Sequence, residues 1–216
     1  MKKGTILRTV GLLLIASGIA LAGYNLITGT RSDERCRDIT DELIAQTPTP
    51  SPVTDTAPDS PDDPYTEDLP DYILDPMRDM PTVVIDGREY IGILRIPSQD
   101  IELPVASEWS MDDLATSPCR YSGSVYLDSM VICGHNYVTQ FGRLTSLEIG
   151  DSVTFTDTEG NVFAYTVTEL ETVAPDGQIY MQTGDWDMTL FTCTVSGTDR
   201  VTVRCDRSSP RPMKTQ

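Results

Sequence analysis

Two residues that could carry nucleophilic chemistry lie at the ends of apolar segments. Cys193 ends the run TLFTC over residues 189–193, and His135 follows the apolar run 131–133. His135 is the only histidine in the chain. A thiol becomes an effective nucleophile when an imidazole and a positive charge lie beside it. These residues therefore predict cysteine-based covalent catalysis, with Cys193 as nucleophile and His135 as its acid/base partner.

The residues after Cys193 offer the positive charge. If Ser196 and Gly197 form a hairpin turn, or lie at the centre of a four-residue loop, Cys193 pairs with Arg200 on the returning strand. Directly opposed residues of an antiparallel pair have Cβ atoms about 4.5–5.5 Å apart. We predict that Arg200 stabilises a catalytic oxyanion. Arg204 has the same parity but lies farther along the strand, so Arg200 is preferred.

The elements that position these residues are β-strands. From about residue 82, short apolar segments alternate with polar turns, which is typical of a closed barrel or a sandwich. Asp86-Gly87 predicts a tight hairpin. Helix is expected at 111–116, with a short turn at 141–147. The predicted strands are 83–85, 90–96, 101–105, 124–127, 130–133, 152–156, 162–167, 188–193 and 200–205. The prediction is a mainly β domain over residues 81–208 with one or two short helices, followed by a polar tail at 209–216.

The residues before this domain differ in composition. Residues 9–30 are uncharged and follow Lys2, Lys3 and Arg8, a pattern that predicts a transmembrane helix with a cytoplasmic basic flank over residues 1–30. Signal-peptide cleavage after Ala22 is the alternative. Residues 31–80 are acidic and proline-rich, which predicts a disordered linker. We therefore expect a single-pass protein of the cell membrane whose catalytic domain is extracytoplasmic.

Charge and cysteine content narrow the function. The net charge of -17 argues against nucleic-acid binding, because phosphate neutralisation requires clustered Lys and Arg. The five cysteines leave at least one thiol unpaired within the chain. Cys133, His135 and Cys193 could form a metal cluster with Cys119 or Cys205, but no C-x-x-C pair is present and we predict no metal. A Cys133–Cys193 disulfide that switches activity off is a further hypothesis.

These motifs resemble those of the sortases, the cysteine transpeptidases of Gram-positive cell surfaces. Residues 189–193 resemble the T-L-x-T-C motif of the family, and Gly134-His135-Asn136 resembles its G-H motif. Residues 96–105 and 141–151 are similar to the opening strands and to the stretch after the histidine. The resemblance covers roughly residues 90–207. It implies an eight-stranded β-barrel.

The resemblance implies a transpeptidation that needs no cofactor. Cys193 would attack a threonyl carbonyl in an LPxTG-like sorting signal of a secreted protein, giving a thioester. An amine of a peptidoglycan precursor or of a pilin would then resolve it. His135 would protonate the leaving amine, Thr192 and Asn136 would contact the substrate or the oxyanion, and residues 172–187 would form a wall of the substrate groove. Two alternatives remain: a hydrolytic cysteine peptidase with the same triad, and a non-catalytic, membrane-tethered β-domain that binds the cell wall.

Overall fold

A computed structural model of the protein describes residues 2–49, 51–52, 70–174, 181–182 and 184–208. The chain forms two compact units, Met1–Arg35 and Cys36–Gln216. The predicted polar tail at 209–216 lies outside the described residues, as does part of the predicted linker, residues 53–69.

The described elements of secondary structure are mostly strands. These are β1 (Ser51–Pro52), β2 (Val83–Ile85), β3 (Arg88–Ile96), β4 (Ile101–Ala106), β5 (Cys119–Ser122), β6 (Met130–Cys133), β7 (Ser152–Asp157), β8 (Asn161–Val173), β9 (Met188–Cys193) and β10 (Arg200–Arg207). The α-helices are α1 (Lys2–Gln46), α2 (Asp71–Leu74) and α3 (Met111–Leu114). Short 3₁₀ helices cover Pro97–Gln99, Val125–Leu127 and Phe141–Ser146.

Eight of the strands close into a barrel. Their order is β3-β4-β5-β6-β9-β10-β8-β7, and β7 pairs back onto β3. The β4–β5 link is the shortest in this ring, with the single register pair Ala106 and Cys119. β2 extends the sheet beside β3, and β1 pairs in parallel with β8. The predicted mainly β, eight-stranded barrel with few short helices is confirmed.

The barrel interior is filled by alternate residues of its strands. Along β8, the side chains of Phe163, Tyr165 and Val167 are buried, whereas the residues between them are partly exposed. This alternation follows from the two-residue repeat of a strand. At the seam where β3 meets β7, a Cβ on Gly92 would collide with the backbone oxygen of Thr156, so only glycine allows the two strands to approach this closely.

Three local predictions had different outcomes. The Asp86-Gly87 hairpin is confirmed, since both residues have positive φ (51° and 76°) and Ile85 pairs with Arg88. The strand predicted at 124–127 is wrong, because this segment is a 3₁₀ helix. The hydroxyl of Ser124 accepts a hydrogen bond from the Tyr126 N–H at 3.1 Å and caps the turn. β5 was not predicted.

The first unit, Met1–Arg35, is helical from Lys2 onward as the first part of α1. Its described apolar side chains include Leu12, Leu13, Leu14, Ile15 and Ile19, which are 62–69% exposed. Within the described residues, no helix combines the length and the hydropathy that crossing a membrane requires.

In the second unit, the region predicted as a linker is partly folded. α1 ends only at Gln46, and the side chains of Cys36, Ile39 and Leu43 are 4%, 2% and 0% exposed. Their spacing of three and four residues places them on one helix face, which packs into the core. Regular structure therefore continues beyond the boundary predicted at residue 31.

The end of the predicted linker is also ordered. Tyr72 of α2 is 4% exposed and stacks on Tyr126, with ring centroids 4.9 Å apart. Its ring also contacts Phe163, at 5.2 Å between centroids. Arg78 donates two hydrogen bonds to the carboxylate of Glu159. This segment is therefore part of the folded domain.

Candidate active site

The parallel pairing of β6 and β9 brings the predicted nucleophile and base together. Cys133 is the register partner of Phe191, and the Gly134 N–H donates to the Phe191 carbonyl at 3.1 Å. Parallel strands end at the same edge of a sheet. His135 lies two residues beyond Cys133, and Cys193 lies two residues beyond Phe191, so both leave the sheet at this edge.

The hairpin between β9 and β10 places Arg200 opposite Cys193. The two residues are register partners, as predicted. The loop is the four-residue alternative, since the Thr194 N–H donates to the Asp199 carbonyl at 2.9 Å and the Gly197 N–H donates to the Thr194 carbonyl at 2.8 Å. Gly197 has φ +74°, a conformation that favours glycine. The turn chemistry thus fixes the Cys193–Arg200 pairing.

A cavity of about 210 Å³ contains the side chains that the sequence singled out. His135, Thr192, Cys193 and Arg200 all contribute to its lining. No aspartate or glutamate is among its described lining residues. The larger apolar side chains of its wall are Trp109, Met111, Leu114, Tyr121, Met181 and Phe191. The cavity is therefore a largely apolar groove whose lining also includes the reactive or polar residues His135, Thr192, Cys193 and Arg200.

Burial changes the pKa of the His135 imidazole. The residue is half-buried, and desolvation lowers the pKa of His135 below its ordinary value. The neutral imidazole therefore predominates near neutral pH. The ring packs against that of Tyr137, with centroids 4.7 Å apart. A neutral imidazole beside a thiol can accept its proton.

Gln140 fixes the loop that carries His135, and sequence reasoning missed it. Its side-chain oxygen accepts from the His135 backbone N–H at 2.9 Å, and its Nε2 donates to the Leu114 carbonyl at 3.3 Å. The residue is 2% exposed. Gln140 thus joins the histidine loop to α3, which forms part of the cavity wall. Its only sequence signal is a polar residue directly before the apolar turn at Phe141.

The guanidinium of Arg200 is held by the hairpin itself. Its Nη1 donates to the carbonyls of Gly197 and Asp199 at 3.3 and 3.1 Å. These acceptors are uncharged, so they orient the group without neutralising it. Because an arginine has five N–H donors, the contacts of Nη1 leave donors that can serve a ligand in the cavity.

Thr192 and Asn136 occupy different positions at the site. Thr192 lines the cavity, is 2% exposed, and its Oγ1 has no hydrogen-bond partner among the described residues. Asn136 is not among the described lining residues. Its Nδ2 donates to the Thr194 carbonyl at 3.2 Å. Asn136 therefore links the ends of β6 and β9, and Thr192 carries a buried hydroxyl that has no partner among the described residues.

The remaining cysteines show no metal arrangement in the described part of the chain. No three His, Cys, Asp or Glu side chains are grouped there as a metal site. All five cysteines are free thiols, so Cys133 and Cys193 are not joined. Cys133 nevertheless lines the same cavity as Cys193.

Comparison with known proteins identifies this arrangement of barrel, thiol and imidazole. Residues 94–208, just over half of the chain, match the model of the sortase domain. The chain therefore belongs to the sortase family, whose members are cysteine transpeptidases. This confirms the resemblance found in the sequence and the expected enzyme class.

Individual sortases agree with this assignment. Sortase D of Bacillus subtilis (strain 168) is 25% identical over 195 residues, which cover 86% of this chain and 88% of the relative. The crystal structure of sortase C1 from Streptococcus agalactiae superposes with a TM-score of 0.51 at 30% identity, covering 59% of this chain and 72% of that one. The structure of Streptococcus pneumoniae sortase C gives a TM-score of 0.50 at 25% identity, covering 59% and 72%.

Proposed function

We propose that this sortase cleaves an LPxTG-like sorting signal with Cys193 as nucleophile, His135 as acid/base and Arg200 as oxyanion stabiliser. The observation that carries the assignment is the single cavity lined by all three side chains, with Arg200 registered opposite Cys193. The peptide would lie in the apolar groove, with its threonyl carbonyl at the thiol end.

The first half-reaction forms a thioester. Neutral His135 accepts the thiol proton as the Cys193 sulfur attacks the threonyl carbonyl. The C–N bond then breaks, and His135 delivers the proton to the leaving amine. The second half-reaction reverses these roles. An incoming amine gives a proton to His135 and attacks the thioester carbonyl, the C–S bond breaks, and the proton returns to the sulfur.

Two side chains are suited to stabilise the oxyanion between these steps. The guanidinium of Arg200 carries a positive charge that no carboxylate among the described lining residues neutralises. The buried hydroxyl of Thr192 lacks a partner among the described residues, and an unmade buried hydrogen bond costs about 1–3 kcal/mol. A donor to the oxyanion would recover that cost in the transition state. Asn136 would act indirectly, through the Thr194 carbonyl.

The acceptor and the cellular location are further parts of the proposal. The crystal structure of Streptococcus pneumoniae sortase C provides insights into pilin substrate specificity in that enzyme. For this chain we propose either a pilin amine or a peptidoglycan-precursor amine as acceptor. The uncharged run 9–30, its exposed leucines and the preceding Lys2, Lys3 and Arg8 support a single-pass membrane anchor with an extracytoplasmic domain. Resistance of the full chain to alkaline extraction from membranes would test the anchor.

Intact-mass spectrometry of the full chain tests the chemistry. The protein is mixed with a panel of LPxTG-like peptides, with and without an amine acceptor, and Cys193→Ala serves as the control. We expect a thioester on Cys193 and an amine-linked product. A hydrolysed product alone, with acceptor present, would favour the hydrolytic peptidase. A thiol that neither forms an adduct nor reacts with an alkylating reagent would refute the assignment of Cys193.

A further inference from the structure

Three thiols lie on neighbouring strands of the barrel, and two of them are directly opposed. Cys119 of β5 is the antiparallel register partner of Cys133 of β6. Cys133 is in turn the parallel register partner of Phe191, which precedes Cys193 by two residues on β9. Register partners project from the same face of a sheet, as do residues two apart on one strand. Cys119, Cys133 and Cys193 therefore share one face of three neighbouring strands, and Cys193 lies two residues farther along β9 than the register partner of Cys133.

These three thiols differ in their access to solvent. Cys193 is half-buried at the cavity, Cys133 lines the same cavity but is 3% exposed, and Cys119 is 0% exposed. Burial raises the pKa of Cys119 to about 12. Burial, and then the neighbouring Cys119 and Cys193, also raise the pKa of Cys133. An oxidant from solvent therefore meets Cys193 first, while the inner two residues stay as thiols.

The inner pair is placed for a disulfide bond. Directly opposed residues of an antiparallel pair have Cα atoms about 4.5–5.5 Å apart, and disulfides need about 4.4–6.8 Å. The Sγ of Cys133 already lies 3.6 Å from the carbonyl oxygen of Cys119, so it is turned toward β5. Cys133 is thus directly opposed to Cys119 and lines the same cavity as Cys193.

We propose that Cys133 and Cys119 form a dithiol that restores Cys193 after oxidation by a peroxide. This inference rests on Cys193 being the nucleophile of the proposed function. It adds a second chemistry to the site, in which the buried pair consumes one peroxide molecule per chain. The end state has a Cys119–Cys133 disulfide and a free Cys193.

The proposed steps balance in atoms and electrons. The Cys193 sulfur attacks hydrogen peroxide, an S–O bond forms, the O–O bond breaks, and water leaves with the thiol proton. The Cys133 sulfur then attacks the sulfenic sulfur of Cys193, passing its proton through His135, and a second water leaves as the S–S bond forms. Finally the Cys119 sulfur attacks Cys133, and Cys193 leaves as a thiol with the proton of Cys119. One peroxide is reduced to two waters, and two thiols are oxidised to a disulfide.

The test uses the reduced full chain and one equivalent of hydrogen peroxide, followed by differential alkylation and peptide mapping. In the wild type we expect a Cys119–Cys133 disulfide, an alkylatable Cys193 and retained thioester formation. In Cys133→Ser we expect Cys193 to reach sulfinic or sulfonic acid, with activity that dithiothreitol does not recover. In Cys119→Ser we expect a Cys133–Cys193 disulfide and activity that returns on reduction. Cys205→Ser, which removes a buried thiol of the core, is the matched control and should behave as the wild type.

Over-oxidation of Cys193 at the same rate in the wild type and in Cys133→Ser would overturn the proposal. Absence of the Cys119–Cys133 disulfide from the oxidised wild type would also overturn it, and this result stands even if a serine variant fails to fold. The disulfide map needs no sorting peptide. Failure of the proposed function would appear separately, as a reduced wild type that forms no thioester on Cys193.

Discussion

At each end of the β9–β10 hairpin, an arginine of β10 pairs with a residue of β9. The two arginines differ in the partners of their guanidinium groups. At the turn end, Arg200 faces Cys193, and its bonds to Gly197 and Asp199 are to uncharged carbonyls. At the far end, Arg204 faces Thr189 and is 1% exposed. Its guanidinium bonds to the Glu171 carboxylate at 2.7–2.8 Å and to the Thr189 hydroxyl at 3.0 Å, and lies 4.2 Å from the ring of Trp186.

This difference shows how one strand can supply both a structural and a chemical cation. Glu171 neutralises the charge of Arg204, whose contacts join β8, β9 and the residue Trp186. The charge of Arg200 faces a cavity that has no carboxylate among its described lining residues. A positive charge that is oriented but not neutralised can stabilise a developing anion. Four residues along the same strand thus separate the two roles.

The largest expected effect is the loss of catalysis when Arg200 is removed. Arg200→Ala should lower kcat/KM for thioester formation by about 10²–10³-fold, the usual loss for an oxyanion donor. The thermal unfolding midpoint should change little, because the hydrogen bonds that this side chain makes within the described part of the chain are both to its own hairpin. Steady-state kinetics and calorimetry on the same preparation would check both. Arg200→Lys keeps the charge but not the planar set of N–H donors. Its kcat/KM should lie between those of the wild type and Arg200→Ala.

Removing Arg204 should produce the opposite pattern. Arg204→Ala should lower the free energy of unfolding by roughly 3 kcal/mol, because it leaves Glu171 and Trp186 without their buried partner. Chemical denaturation would measure this loss. Arg95→Ala is a suitable control, since its ion pair with Glu102 is solvent-exposed and contributes about 1 kcal/mol or less. Equal losses in the two variants would contradict the structural role of Arg204.

The pH dependence of the reaction should follow the protonation of His135. Because burial lowers the pKa of His135, the neutral base is present above that pKa and is lost as the pH falls through it. The acidic limb of kcat/KM should therefore lie below the ordinary histidine value of about 6.5 and fall about tenfold per pH unit. A rate that rises on acidification would instead require protonated His135 in the rate-limiting step.

The smallest expected effects come from two threonines of β9. Thr192→Val removes a buried hydroxyl that has no partner among the described residues, so we expect about a fivefold loss of kcat/KM, equivalent to about 1 kcal/mol, and no loss of stability. Thr189→Val removes a hydrogen bond to Arg204, so we expect lower stability and unchanged kinetics. Equal changes of kcat/KM and of stability in the two variants would contradict the different roles of the two hairpin ends.

Local interactions could be predicted from the sequence. The Cys193–Arg200 pairing depends on one short loop, and the Asp86-Gly87 turn depends on two residues that adopt positive φ readily. The parallel contact between β6 and β9 joins distant segments, and no spacing in the chain specifies it. The sequence and the family resemblance predicted His135 and Cys193 as catalytic partners, but the adjacency of their strands was not predicted.

The features that were wrongly predicted or not predicted from the sequence have identifiable physical causes. The apolar run Val125-Tyr126-Leu127 fits a strand or a buried helical turn equally well, and the cap by Ser124 decides between them. The helical spacing of Cys36, Ile39 and Leu43 is surrounded by charged residues, a composition that favours a linker. Gln140 acts through two backbone groups, at His135 and Leu114, and hydrophobic periodicity carries no information on such contacts.

The adjacency of β6 and β9 has a consequence for the order of folding. Asn136 and Thr194 meet across 58 residues of sequence, and β7 must pair with both β3 and β8 before the ring of strands is complete. Contacts of such long range form late, because the entropy of the intervening chain must first be lost. We therefore expect a newly synthesised chain to lack the His135–Cys193 pair until the barrel has closed. The reactivity of Cys193 would thus appear only in the last steps of folding, because it depends on the closed barrel rather than on β6 or β9 alone.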